Sequence, residues 1–194
     1  MEAQPGYHST GRSAAQFTEL YGNRPIRALV RLSKDFLIDP PEGFSESPIL
    51  TQRGAMFVAT AEQRPTIEAF LSMAKSENCP VHELDVSGAR DIVPVLQPAA
   101  FESAVLESDS TDMDVHGLHG GFLRGFRASG GVVFTDAEAK GLERQGGVWR
   151  VDTPAGEFEA PVIVNAAGAW GDVVAARSGV APVGLQPKRR TVIL

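Results

Sequence analysis

The sequence has one cysteine, Cys79, and only two tryptophans and two tyrosines. A single cysteine excludes an intrachain disulfide and fits a reducing compartment, so we expect a cytoplasmic protein. No apolar run approaches the roughly 20 residues that a transmembrane helix needs. No basic segment followed by an apolar one opens the chain. We therefore expect neither a membrane span nor a signal peptide.

Positive charge is also scarce. The 194 residues include 18 Lys and Arg against 24 Asp and Glu, which gives a net charge of -6. This balance leaves no general basic field for a polyanion and disfavours nucleic-acid binding. We interpret the densest basic cluster, residues 188–190, as a solvated strand edge. A hydrophobic content of 43% is that of an ordinary globular chain, long enough for one sizeable core.

The glycine pattern lacks one motif. Among 20 glycines, no two are separated by a single residue. The GxGxxG turn that binds a dinucleotide pyrophosphate is therefore absent from this sequence. Its absence disfavours a nicotinamide-dependent dehydrogenase, whose fingerprint has the same form.

Hydrophobic periodicity predicts a mixed α/β fold. Apolar residues at helical spacing, together with caps and stops, predict helices over residues 13–21, 25–37, 62–75, 115–127 and 170–178. Alternation and turn residues predict a hairpin over 49–59 with Arg53-Gly54 near its turn, a strand over 81–86, a meander over 141–160, and strands over 162–164 and 190–194.

Two short peptides are the most informative parts of the chain. Residues 162–170, VIVNAAGAW, run from a buried-strand pattern through small residues into a helix, and such a turn lets backbone approach a flat, phosphate-bearing ligand. Residues 6–15, GYHSTGRSAA, offer hydroxyls and amides at a predicted helix N-terminus. The alternatives are an ordinary strand-to-helix turn, with Trp170 as packing, and an ordinary helix cap.

Both peptides resemble the FAD-dependent oxidoreductases of the D-amino-acid oxidase, glycine oxidase and sarcosine oxidase superfamily, and the resemblance extends over nearly the whole chain. It implies an incomplete FAD-binding Rossmann-like domain, residues 1–44 and 108–194. It also implies an inserted antiparallel substrate lobe, residues 45–107. Measured against the family, the chain starts after the glycine-rich turn and stops before the C-terminal part, so we expect an internal fragment.

The resemblance also implies which residues contact FAD. The cofactor-binding residues it implies are His8, Ser9, Thr10, Gly11, Arg12, Ser13, Ala139, Ala166, Ala167 and Gly168. The first peptide would line the isoalloxazine and ribityl side. The backbone of Ala139, where the family has a valine, would pair with the adenine. No catalytic residue is assigned, because in this family the protein mainly positions and polarises the flavin.

The activity implied is hydride transfer to the flavin from a small amino acid, amine or hydroxy acid. The alternative is a non-catalytic, truncated or split flavoprotein subunit that needs a partner chain. We expect the chain alone to be inactive. Its protein partner would be either a second copy or a different chain that completes the site.

Two further residues are candidates for chemistry. Arg53, near the predicted hairpin turn, has a planar fork suited to a substrate carboxylate, although such arginines are usually only solvated. Cys79 precedes a proline and has no histidine partner nearby in sequence, so we do not expect a catalytic thiol.

Histidines and acidic residues after residue 108 could suggest a metal. His116 and His119 lie at i and i+3 of one predicted helix, but no third ligand follows at a usual spacing. Asp109, Asp112 and Asp114 lack the glycine and terminal glutamate of a calcium loop. We expect no metal site, and we predict that Asp114 caps the helix that follows it.

Overall fold

The computed structural model describes residues 2–188, which form helices and small antiparallel sheets. The helices are α1 Arg24–Ile38, α2 Arg64–Ser76, α3 Val86–Ile92, α4 Val115–Ala128 and α5 Gly171–Arg177. The strands are β1 Gln16–Phe17, β2 Leu50–Gln52, β3 Ala55–Ala59, β4 His82–Leu84, β5 Ser103–Glu107, β6 Thr111–Met113, β7 Gly141–Gln145, β8 Val148–Thr153 and β9 Gly156–Ala160. The predicted mixed α/β class is confirmed. The predicted strand over 190–194 lies outside the described residues.

The chain divides into two compact units. The first unit comprises Met1–Ser9 with Gly130–Leu194, and the second unit comprises Thr10–Ser129. These bounds differ from those of the predicted substrate lobe, residues 45–107, whose assignment stays a prediction. Within residues 2–188, no helix is both long and apolar enough to cross a membrane.

Two three-stranded sheets form the frame of the second unit. Their strand orders are β1-β6-β2 and β3-β5-β4, and all pairs are antiparallel. On β5, Val105 packs with Ile67 of α2 on one side, while Ala104 packs with Ala89 of α3 on the other. The second of these sheets is therefore covered on both faces.

The predicted hairpin over 49–59 is wrong. β2 pairs with β6, and β3 pairs with β5, so the two strands enter different sheets. At the step between them, the Ser110 carbonyl accepts the N–H groups of Arg53, at 3.3 Å, and Gly54, at 2.7 Å. Gly54 has φ +85°, a conformation that glycine adopts without strain. The Arg53-Gly54 turn thus moves the chain from one sheet to the next instead of reversing it.

The predicted helix over 13–21 is also wrong. Residues 5–12 form turns, and Gln16 and Phe17 pair with Asp112 and Thr111 as a short strand. The hydroxyl of Ser110 donates to the Phe17 carbonyl at 3.1 Å. Phe17 is buried, so its apolar character is used in a core, but through long-range pairing and not through a helix face.

The three long helices predicted in the second unit are confirmed. Each helix begins at residues that neighbour it in the sequence, so its start could be read from the sequence. Asn23 accepts from the Ile26 N–H at 3.2 Å, and Pro25 occupies the first turn of α1. Asp114 caps α4 by accepting from the Gly117 N–H at 2.8 Å, as predicted. α2 buries Ile67 and Ala74 along its apolar stripe.

The first unit contains the predicted meander and α5. β7, β8 and β9 pair in order, and Gly146 and Gly147, both with positive φ, join the first two. The strand predicted over 162–164 is absent from the described residues. Val162 and Val164 are instead 71% and 83% exposed, with no partner strand in the described part of the chain.

Candidate functional site

The turn between residues 164 and 171 is closed by one side chain. Asn165 Oδ1 accepts from the Ala167 N–H at 3.2 Å, and its Nδ2 donates to the Gly171 carbonyl at 2.8 Å. Gly168 has φ +56° and opens a 3-10 helix, Gly168–Trp170, that leads into α5. A Cβ on Gly168 would meet nothing within 4 Å. Its backbone therefore adjoins open space, with no side chain covering it.

Asp172 stabilises the far side of this turn. Its Oδ1 accepts from the Val183 N–H at 3.0 Å, and its Oδ2 accepts from Gly184 and Leu185 at 2.9 and 2.7 Å. One carboxylate thus attaches the segment after α5 to the start of that helix. Sequence reasoning missed this role because the partners lie more than ten positions away.

The N-terminal peptide meets the C-terminal peptide within the first unit. The ring of His8 lies 6.2 Å from that of Trp170, between ring centroids, in an edge-on arrangement. Trp170 is more than half exposed, so it is not a core residue. This contact joins the two peptides that the sequence singled out.

Glu2 holds the backbone of the N-terminal peptide. Its two carboxylate oxygens accept from the N–H groups of Tyr7 and His8, each at 3.1 Å. Burial acts to raise the pKa of Glu2, but the hydrogen bonds from His8 and Tyr7 outweigh it and lower the pKa. The carboxylate is therefore stabilised in the charged form that accepts these bonds.

The predicted N-terminal segment is divided between the two units. His8 and Ser9 belong to the first unit, with Ala139, Ala166, Ala167 and Gly168, whereas Thr10, Gly11, Arg12 and Ser13 belong to the second. The expected helix N-terminus at these residues is absent. Instead, Ser13 Oγ accepts from the Ala15 N–H at 3.0 Å, and Ala15 has φ 55°. The hydroxyl therefore stabilises a tight turn.

Ala139 precedes β7 and is linked to α5. Arg177 Nη1 donates to the Ala139 carbonyl at 2.8 Å and to Glu138 Oε1 at 2.9 Å. Arg177 was not predicted as a site residue. Its only sequence signal is a basic residue in the last turn of a helix, which is common.

Arg53 lies at the step between the two sheets of the second unit. Its Nη1 pairs with Asp112 Oδ1 at 2.5 Å, and its side chain is 58% exposed. The guanidinium therefore has a carboxylate partner from the chain itself. Its predicted role toward a substrate carboxylate stays a prediction.

The other candidate groups do not assemble a site. Within residues 2–188, no group of three or more His, Cys, Asp or Glu side chains could hold a metal ion. His116 is exposed and His119 half-buried on α4. Burial raises the pKa of the half-buried Cys79 thiol. A raised pKa disfavours the reactive thiolate.

Comparison with known proteins places these features in a family. The family model for FAD-dependent oxidoreductases named DAO matches residues 1–194. Glycine oxidase from Geobacillus kaustophilus is similar in structure, with TM-score 0.77 and 20% identity over 90% of this chain and 49% of that one. L-proline dehydrogenase from P. horikoshii has TM-score 0.72 and 20% identity over 89% of this chain and 46% of that one.

A third similar structure is L-alpha-glycerophosphate oxidase from Mycoplasma pneumoniae with FAD bound. Its TM-score is 0.72, with 15% identity over 88% of this chain and 47% of that one. At these identities the likeness concerns the fold, and it confirms the predicted fold class. The chain spans about half the length of each of these three proteins.

Proposed function

Because the chain belongs to the DAO family of FAD-dependent oxidoreductases, we propose that it forms part of the FAD site of an enzyme that oxidises a small amino acid, amine or hydroxy acid. FAD, the cofactor predicted from the sequence, is the cofactor of the family. The observation that carries the proposal is the contact between His8 and Trp170, since within one unit it brings a residue of the first predicted cofactor-binding peptide against the second.

The residues of the first unit fit a large planar ligand. The turn with Ala166, Ala167 and Gly168 bears only small side chains, and its backbone adjoins open space at Gly168. Such a surface allows close approach of a ring or phosphate to backbone. In this proposal His8 and Ser9 of the first unit lie at the same cofactor.

The chemistry proposed is a dehydrogenation. When bound, FAD supplies the acceptor for a hydride from the carbon that bears the substrate's amino or hydroxyl group. This chain's residues bind and orient the cofactor. In this proposal no acid–base pair is assigned to them, because positioning the reacting groups is itself a large contribution to the rate.

The substrate class is proposed from the similar proteins. Their names specify glycine, L-proline and L-alpha-glycerophosphate, which are small molecules bearing an amino or hydroxyl group. Arg53 is the proposed partner of a substrate carboxylate. Its Nη1 pairs with Asp112, so a substrate carboxylate would share the guanidinium with Asp112 or replace it.

A second candidate function is a flavoprotein subunit that another chain completes. The exposure of Val162 and Val164 favours it, because β-branched side chains without a partner strand among the described residues are suited to pair with a strand of another chain. In this case the chain alone binds FAD weakly and oxidises nothing. Size-exclusion chromatography with flavin absorbance separates the two candidates. The chain is run alone at low and high concentration, and then together with a candidate partner chain.

The FAD site is tested by Gly168→Ala with Gly146→Ala as its matched control. Both glycines have similar positive φ, +56° and +59°, and in both a Cβ meets nothing within 4 Å of the chain itself. The two variants therefore carry similar backbone strain. We expect Gly168→Ala to weaken FAD binding at least tenfold in a fluorescence titration and Gly146→Ala to leave it unchanged. Equal affinities in the two variants would contradict the proposed site.

A further inference from the structure

Arg177 makes a two-point contact that the family resemblance does not assign. A single guanidinium nitrogen, Nη1, donates to the carbonyl of Ala139 and to the carboxylate of Glu138. Both distances, 2.8 and 2.9 Å, are those of charge-assisted hydrogen bonds. Glu138 neutralises the guanidinium, while the Ala139 carbonyl is fixed in direction.

The backbone N–H and carbonyl of Ala139 can each make a further hydrogen bond to a ligand. Its N–H has no acceptor within residues 2–188, since the hydrogen bonds of this stretch run from Asp136 to Glu2 and from Lys140 to Asp152. Its carbonyl has two lone pairs, and Arg177 uses one of them. A donor and an acceptor on one residue match the edge of an adenine, which offers a ring-nitrogen acceptor beside an amino donor.

Helix α5 connects Ala139 to the small-residue turn. The helix has seven residues, and at 1.5 Å per residue it spans roughly 10 Å. Asn165 and Asp172 fix the turn at its start, and Arg177 fixes Ala139 at its end. One short helix thereby holds two predicted cofactor contacts at a set separation.

We propose that Arg177 is a positioning residue for the adenine end of the cofactor. It acts through Ala139, whose carbonyl it orients so that the N–H and the remaining lone pair face the adenine edge. This inference rests on the proposed FAD site and specifies which part of the cofactor depends on a residue that does not touch it. A merely structural role for Arg177 would affect all parts of the ligand equally.

The test compares adenine-containing with adenine-lacking ligands. Wild type and Arg177→Ala are titrated with FAD, FMN and AMP, with Arg150→Ala as the control. Arg150 is another half-exposed arginine of the first unit, paired with Glu159 on β9. We expect Arg177→Ala to weaken FAD and AMP binding about tenfold and to leave FMN binding unchanged. Arg150→Ala should change none of the three.

Two more variants sharpen the result. Arg177→Lys keeps the charge and a donor, so it should retain most of the AMP affinity. Glu138→Gln leaves the bond from Arg177 to Ala139 in place, so its AMP affinity should fall by less than threefold. Thermal melting confirms that each variant is folded. Equal loss of FMN and AMP affinity, or no loss of either, would overturn the role of Arg177. Wild type that binds none of the three ligands would overturn the proposed FAD site itself, and this inference with it.

Discussion

Among the described residues, the buried apolar side chains lie almost entirely in the second unit, whereas the first unit contributes only Leu142. The second unit packs three buried clusters between its sheets and helices. The first unit is held by a meander and by single polar side chains, namely Glu2, Asn165, Asp172 and Arg177. The region proposed to contact the cofactor therefore has little hydrophobic stabilisation of its own, and such regions open most easily.

The largest expected effect comes from the core of the second unit. Ile49 is fully buried and packs with Phe17 and Leu37. Ile49→Ala should lower the free energy of unfolding by about 2–5 kcal/mol, because it removes buried methylenes and leaves a cavity. Leu142→Ala in the first unit, where fewer buried residues surround the side chain, should lower the free energy of unfolding by less. Urea denaturation followed by circular dichroism measures both decreases, and equal decreases would contradict the difference between the units.

The next effect is stabilisation by the ligand. FAD at about 100 times its Kd should stabilise the folded chain by roughly 2.7 kcal/mol, since it binds only the native state. We expect hydrogen exchange to slow most at residues 138–140 and 165–171, and little in β5. NAD, which the missing glycine motif disfavours, is the control and should change nothing. Protection by FAD confined to the second unit would refute the assignment of the site to the first unit.

The smallest effect concerns a buried carboxyl of the second unit. Glu107 is 4% exposed, and its Oε1 accepts from the Thr18 hydroxyl at 2.5 Å, while its Oε2 has no partner within residues 2–188. Burial raises the pKa of Glu107, the bond from Thr18 lowers it in part, and the charges of Asp109 and Glu19 raise it further. The folded state therefore favours the neutral, protonated form of the Glu107 carboxyl.

The sign of the pH dependence follows from this raised pKa. Stability from Glu107 is fully present below its ordinary pKa of 4.5 and is lost as the pH rises through the higher value in the folded state. Glu107→Gln keeps the shape and an acceptor but cannot ionise. It should match wild type near pH 4 and exceed it at neutral pH in urea midpoints. The exposed Glu102→Gln is the control, and a variant less stable than wild type at neutral pH would contradict the argument.

Local signals predicted the three long helices of the second unit and the meander of the first. Pro25 and Asp114 lie at helix starts, and the Gly146-Gly147 pair lies at a hairpin turn, so a few neighbouring residues specify each element. The errors arose where distant partners decide the structure. Phe17 has the spacing of a helix face, but pairing with β6 makes it a strand residue.

The same distinction applies to the candidate site. The small residues at 166–168 predict a turn before α5, and the turn is present, while its role toward a cofactor stays a prediction. Arg177 and Glu2 could not be identified, because their partners are carbonyl and amide groups of backbone whose position depends on the whole unit. Backbone acceptors carry no side-chain signature in a sequence.

The step between the two sheets of the second unit sets the chain's tolerance to change in length. Residues 53–54 join β2 to β3, while residues 108–110 join β5 to β6, so the second linker is one residue longer than the first. Deleting the extra residue would withdraw the Ser110 carbonyl from its two N–H donors unless β5 or β6 shifted by one position against its partners. A shift of β5 by one position would turn Val105 toward α3 and Ala104 toward α2, each into a space shaped for the other. The length of this three-residue segment is therefore matched to the registers of both sheets.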